Sequence, residues 1–509
     1  MRISSLGLLF VLTAACSAKS STDAPVGDSG TEEDVLPTAG LERTKGLAVA
    51  EVAVMQGPKV SVAKDGAASP RGNASVIVGR QGILRVYVKP DDTWTAREVV
   101  AKLVLESGGA KKTFTEKKSI LGPSTDEALE SSFNFTLDVD VIAADTAFSV
   151  ELLTEKGQTS PSSADAARYP ADGAAPLGAI PTGEKLQVMI VPIKYNADGS
   201  GRLPDTSAEQ LEVYRRQFMR IYPAREVEIT VRSEPYAWSQ PIQRNGSGFN
   251  QILNAIIGLR QKEAPAKGVY YYGAFQPASS FASYCVSGCV AGLSPLATNP
   301  GDSWTAASVG LGYTGEQSTE TAVHEVGHGH GRKHSPCSPG PTGAPTGTLG
   351  DADPAYPYGG AKIGPISWDV IEQKLVPATN VRDFMSYCEP TWVSDWSFGA
   401  LAKRMAFVYG VAREVPGPVE NYQMFSVDER GALSFGPAVE TGWGPRDDAR
   451  PVTIERADGS SAEVVGHFYP YDHLPGGMLV VPVGKGKLKA VSVKNLVGLP
   501  GVVRAVAPL

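Results

Sequence analysis

The run His324-Glu325-Val326-Gly327-His328-Gly329-His330-Gly331-Arg332-Lys333-His334 holds four of the six histidines in a chain of 509 residues. On a helix, positions four apart share a face, so His324 and His328 can turn their imidazole nitrogens toward one metal ion. Glu325, one step round the helix, falls beside that ion, where its carboxylate can take a proton from a metal-bound water without entering the coordination sphere. Gly331 can adopt the left-handed conformation that ends a helix and swings the chain back. His334 then arrives as a third ligand. Three protein ligands leave a fourth position for water and substrate, the arrangement of a catalytic rather than a structural zinc. His330 lies roughly 200° round the helix from His328 and is expected to face away from the metal, in a supporting or surface role.

The run matches HExxHxxGxxH at every fixed position, and on it the chain resembles the metzincin zinc endopeptidases. That resemblance implies an α+β catalytic domain with a mixed sheet, a zinc-binding helix and a methionine turn beneath the metal. Asp383-Phe384-Met385-Ser386-Tyr387 is similar to that turn. By the same resemblance Met385 floors the site, and Tyr387 matches the tyrosine that approaches the metal in astacin-like and serralysin-like members and steadies the oxyanion. Tyr356-Pro357-Tyr358-Gly359-Gly360, Ile363-Gly364, Trp368-Asp369 and Trp392-Val393-Ser394-Asp395-Trp396 resemble secreted bacterial metzincins related to mucin-degrading metalloproteases. The likeness spans residues 185 to 415 or so; the flanking segments add nothing to it.

Other zinc peptidases take a glutamate as third ligand, but no glutamate occurs between His328 and Glu372. Asp351 and Asp353 could serve an aspartate-ligand variant, which His334 at its offset makes unnecessary. His467 and His473 carry no motif and read as structural or exposed. Asn196 to Gly201 leaves room for a structural Ca2+ ion but lacks the spacing of a calcium loop, so that ion has no support and the segment reads as a turn. Ala306 to Tyr313 could be the sheet edge that binds extended peptide by strand addition, or an ordinary core strand.

At the N-terminus, Arg2, the apolar run Leu6 to Leu12 and Thr13-Ala14-Ala15-Cys16 read as an export signal. The segment resembles a bacterial lipoprotein signal, with Thr13 where that class usually has Leu; Cys16 would be the lipidated first residue of the mature chain. Ordinary secretory cleavage after Ala15 is the alternative. Ser17 after the cysteine resembles outer-membrane lipoproteins of Gram-negative bacteria. No later run offers the roughly 20 apolar residues of a membrane-spanning helix. The remaining cysteines, Cys285, Cys289, Cys337 and Cys388, form an even set that suggests disulfides outside the cytoplasm. Of three pairings, Cys285 with Cys289 and Cys337 with Cys388 is favoured, the latter because these residues follow His334 and Met385 by three and would tie the two halves of the site together. With no cysteine between Ser17 and Tyr284, a thiol from a prosegment cannot block the metal; an aspartate from the N-terminal region could.

Composition is that of a folded, loop-rich protein, 42% hydrophobic and 20% charged with 55 Gly and 38 Pro, and the net charge of -7 argues against a nucleic-acid partner. The expected organisation is a signal peptide (1-15), a flexible tether (16-45), a β-sandwich-like domain (46-158), a linker (159-183), the metzincin-like zinc peptidase domain (184-415) and a small C-terminal β domain (416-509). In the peptidase domain Thr206 with Glu209 suggests a capping box for a helix whose face carries Leu211, Tyr214, Phe218, Ile221 and Tyr222. The expected function is hydrolysis of internal peptide bonds in extracellular proteins or glycoproteins by an exported, membrane-tethered enzyme. The alternative is a cell-surface binding lipoprotein with a degenerate peptidase core, which the intact Glu325 disfavours. The oligomeric state is not legible.

Overall fold

The structure, a computed structural model, describes residues 35–296, 299–337, 352–410, 415–494, 496 and 502–507. The export signal, Cys16 and Asp351 lie outside the described residues. The chain is multidomain and mostly β. Among the described residues no helix is long and apolar enough to cross a membrane.

Runs rich in β-branched and other apolar residues make strands of Leu47–Met55, Gly82–Pro90, Arg97–Ser107 and Ala147–Glu155; Gly82–Pro90 is buried on both faces over its first seven residues. They belong to two antiparallel sheets. Val52, Leu84 and Val86 of one sheet share a core with Leu103, Phe148 and Val150 of the other.

The central sheet follows a different rule. Its strands Lys185–Tyr195, Val269–Phe275 and Ala307–Leu311 are apolar nearly throughout, as strands covered on both faces must be. In order across the sheet run Glu226–Val231, Lys185–Tyr195, Val269–Phe275, Ala307–Leu311 and Gly292–Leu293. All neighbours are parallel except the last pair, which is antiparallel. Five helices accompany it: α1 (Ala208–Ile221), α2 (Phe249–Glu263), the short α3 (Phe281–Tyr284), α4 (Glu316–Gly329) and α5 (Asp395–Gly410). Helix α1 buries Tyr214, Phe218 and Ile221 on one face, with Tyr222 just beyond its end. Its cap is Ser207 rather than Thr206: the Ser207 hydroxyl accepts the Gln210 N–H at 3.3 Å. Ala307–Leu311 is buried at every residue between two neighbours, so it is an interior strand. The edge of the sheet is Gly292–Leu293.

A seven-stranded antiparallel sheet ends the chain, in the order Leu433–Thr441, Glu420–Val427, Gly477–Pro482, Ser461–Pro470, Ala449–Arg456, Leu488–Lys494 and Val502–Val506. Tyr422, Met424, Tyr469, Met478 and Val480 pack in one core with α2 residues Ile252, Leu253 and Ile256. At the other end of the molecule Arg80 joins the N-terminal sheets to α1. It is fully buried and donates to the carbonyls of Gln56 at 2.6 Å, Ala224 at 2.6 Å and Met219 at 2.5 Å. Replacing Arg80 with alanine leaves three buried carbonyls unpaired and should lower unfolding free energy by about 3 kcal/mol or more. Denaturant unfolding measures this, and a loss below about 1 kcal/mol would contradict the role given to Arg80.

Candidate metal centre

Helix α4 is held at its start by its neighbour, since Gly315, at its N-cap, has no side chain to cap it. Gln210 of α1 donates to the Gly315 carbonyl at 3.1 Å and accepts the Gly315 N–H at 2.8 Å. Ala322, Val323 and Val326 face the core, and the buried Tyr222 hydroxyl donates to the Val323 carbonyl at 2.9 Å. The opposite face, with His324, Glu325 and His328, is thereby set toward the cleft. The helix ends in a Schellman turn: Gly331 N–H donates to His328 O at 2.8 Å and Arg332 N–H to Gly327 O at 3.0 Å. Gly331 has φ 77°, the left-handed conformation that this reversal requires.

The turn delivers His334 to the other two histidines. The Nε2 atoms of His324 and His328 lie 3.1 Å apart, and each is 3.2 Å from Nε2 of His334. A tetrahedral ion with bonds of 2.0–2.1 Å would hold its nitrogens about 3.3 Å apart. The tautomers settle what these contacts are. His324 Nδ1 meets the Phe384 carbonyl at 2.8 Å and His328 Nδ1 meets the Arg332 carbonyl at 2.7 Å. A carbonyl can only accept, so in both rings Nδ1 carries the proton and Nε2 of the neutral ring is a bare lone pair. Burial, reinforced by the neighbouring imidazoles, holds His324 well below the ordinary histidine range; His328 falls to about 3, again chiefly through burial. Two lone pairs pointing at each other at 3.1 Å do not make a hydrogen bond. They fit the donor set of a metal ion.

Beneath α4 lies the turn Asp383 to Tyr387. Asp383 is fully buried and accepts from Ser335 Oγ at 2.7 Å, Met385 N–H at 3.0 Å and Ser394 N–H at 3.0 Å, tying the turn to the segment after His334. Met385 is fully buried under the helix. A Cβ added at Gly327 would stand 2.6 Å from Met385 Sδ and 3.0 Å from the Phe384 ring, so only glycine admits this approach. Disulfides join Cys337 to Cys388 and Cys285 to Cys289, in the favoured pairing; such bonds suit an oxidising compartment. The Tyr387 ring lies 4.7 Å from that of His334. Trp396 Nε1 and Arg332 both donate to Asp353 Oδ2, at 2.8 Å and 3.0 Å, which engages Asp353 in fixing the turn instead of a metal. His330 faces away from the site but is not a surface residue. It is buried, stacked on Tyr270 at 4.1 Å, with Nδ1 on the Val326 carbonyl.

Two more donors arrive that the sequence reading passed over. The loop Tyr471 to Gly476 of the C-terminal sheet places Asp472 Oδ2 3.2 Å from His328 Nε2, and His473 packs on His324, His328 and His334 at 5.2, 5.8 and 5.0 Å between ring centroids. The reading of His473 as structural or exposed is therefore corrected. Its Nδ1 pairs with Asp472 Oδ2 and lies 3.9 Å from Glu325 Oε1. His467 stays outside the site, on the Asp447 carbonyl. One donor atom from each of His324, His328, His334, Asp472 and His473 lies within 4.8 Å of every other, so this group can hold a metal ion. Glu325 stands beside it with its carboxyl raised well above the ordinary range, by burial first and then by Asp472. For Asp472, burial opposes ionisation, but His473 and His328 beside it outweigh burial and bring its carboxyl below the ordinary range. Gly292 of the edge strand backs Glu325: a Cβ there would fall 2.3 Å from Oε1. A 300 Å³ cleft opens along His324, Glu325, Tyr387, Glu320 and Glu389.

Comparison with the profiles of known protein families and with characterised proteins returned no match to this chain.

Two substitutions test this construction. Gly327→Ala should push Met385 and Phe384 from the helix and, by disturbing the Phe384 carbonyl under His324, weaken metal binding about 10- to 100-fold, read by competition with a chromogenic chelator. Unchanged affinity would contradict the role of the turn. Replacing Cys337 and Cys388 together with serine opens a loop of separation 51 and should cost roughly 2–4 kcal/mol, seen in thermal unfolding.

Proposed function

We propose that the chain is a zinc-dependent endopeptidase of the metzincin type, exported and tethered to a bacterial membrane surface through a lipid on Cys16. The observation that carries this reading is the convergence of three imidazole nitrogens at 3.1–3.2 Å with the Glu325 carboxyl beside them. An N3 set with a neighbouring carboxylate suits zinc, whose chemistry when bound here is to acidify a water and polarise the scissile carbonyl. Support also comes from the mixed sheet with its antiparallel edge strand, from α4 and from the methionine turn, all in the relation that the HExxHxxGxxH resemblance implies.

The chain's own residues divide the remaining work. Glu325 takes the proton of the attacking water and passes it to the leaving amine. Gly292 leaves room for that carboxyl. Tyr387, over His334, steadies the oxyanion with its hydroxyl. The edge strand Gly292–Leu293 is where an extended peptide would be laid as an added strand. The substrates are extracellular proteins or glycoproteins.

With a mixture of unfolded proteins as substrate, Glu325→Ala should lower the hydrolysis rate about 10²- to 10⁴-fold while metal content stays equal to wild type. Gly292→Ala should displace the same carboxyl and slow turnover about tenfold or more, again with the metal retained. Chelation should abolish the rate and added zinc restore it. A rate that survives either Glu325→Ala or metal removal would contradict the peptidase reading.

A further inference from the structure

Resting on the zinc-peptidase reading above, we infer that Asp472, carried by the C-terminal sheet, is the fourth ligand of the metal and keeps the folded chain latent. The two oxygens of this buried carboxylate have separate duties. Oδ1 accepts the Ser294 N–H at 2.8 Å, while Oδ2 lies 3.2 Å from His328 Nε2, matching the spacing of the three nitrogens among themselves. Asp472 thus stands where a catalytic site keeps its open position. Glu325 faces a carboxylate there, at the position where the water it would activate has to bind.

The loop is placed, not draped. Tyr471 is buried, with its hydroxyl 3.4 Å from Asn254 Nδ2 of α2. Leu296 N–H donates to the Pro470 carbonyl at 2.9 Å, and Asp472 N–H to the Ser294 carbonyl at 3.2 Å. Pro295 and Tyr471 are antiparallel bridge partners. The loop closes at Gly476, φ 100°, where a Cβ would fall 2.0 Å from the Val427 carbonyl, so the hairpin accepts only glycine at that point. Segment Pro470 to Asp472 runs against Ser294 to Leu296, the continuation of edge strand Gly292–Leu293. The loop therefore fills the backbone track of a peptide as well as the metal's open position. Both cysteine pairs are closed as disulfides, which leaves a carboxylate, not a thiol, as the blocking group. It comes from the C-terminal side of the catalytic domain, where the sequence reading had looked to the N-terminal side. Turnover then scales with the fraction of molecules whose loop is withdrawn.

The test uses full-length protein loaded with cobalt(II), as wild type, Asp472→Ala and Asp472→Asn. The asparagine variant retains an acceptor for Ser294 and guards against misfolding of the alanine variant. Acetohydroxamate, a small metal-chelating probe, is titrated while the visible cobalt bands are followed, and hydrolysis of unfolded protein is measured on the zinc forms. The wild type should resist the probe, whereas both variants should bind it about tenfold or more tightly and hydrolyse faster by a similar factor. Equal probe binding in all three proteins, or a rate that falls in the variants, would overturn the role of Asp472. Cobalt bands absent from every protein would instead remove the metal-site reading itself. Probe binding confined to the variants, without hydrolysis, would keep Asp472 as the ligand and remove the peptidase.

Discussion

Unprotonated imidazole nitrogens repel one another, and this chain brings those of His324 and His328 within 3.1 Å, with Nε2 of His334 3.2 Å from each, in a buried site. A cation shared among them would turn that repulsion into attraction, and much of the central domain serves to hold the geometry. Gln210 and Tyr222 set the pitch and rotation of α4, the Schellman turn at Gly331 aims His334, and Asp383 locks the floor to the chain beyond it. Carbonyls of Phe384 and Arg332 choose the tautomers.

Much of this is written locally. His324, Glu325 and His328 are on one helix, and Gly331 and His334 follow within a single turn of chain, so spacing alone carries the donor set. The Cys337–Cys388 pair was legible because each cysteine sits three residues past one already singled out, whereas Met385 was reached only through the resemblance. What local spacing cannot encode is a hairpin of another domain. Tyr471-Asp472-His473 resembles any polar loop until Ser461–Pro470 and Gly477–Pro482 pair and Gly476 turns the chain into the cleft. His330 was placed on the correct side of the helix but not in the core, because its burial depends on Tyr270, a residue of a separate strand. Ala307–Leu311 was open between edge and core strand, and only the pairing of Gly292–Leu293 beside it decides.

The four larger sheets among the described residues thus play unequal parts. The N-terminal pair meets the central domain through Arg80 at the end of α1. The C-terminal sheet shares a core with α2 and reaches through one loop into the site. A domain joined to the catalytic sheet by a common apolar core is held near it at high effective concentration, so even a weak ligand such as one carboxylate can compete with water and substrate.

The most direct measurement is X-ray absorption at the zinc edge of the zinc-loaded full-length chain. Three imidazole nitrogens and one oxygen, at about 2.0–2.1 Å, are expected in the inner shell, with one imidazole lost in His334→Ala. A shell containing sulfur, or one in which His334→Ala changes nothing, would contradict a metal centre built on His324, His328 and His334.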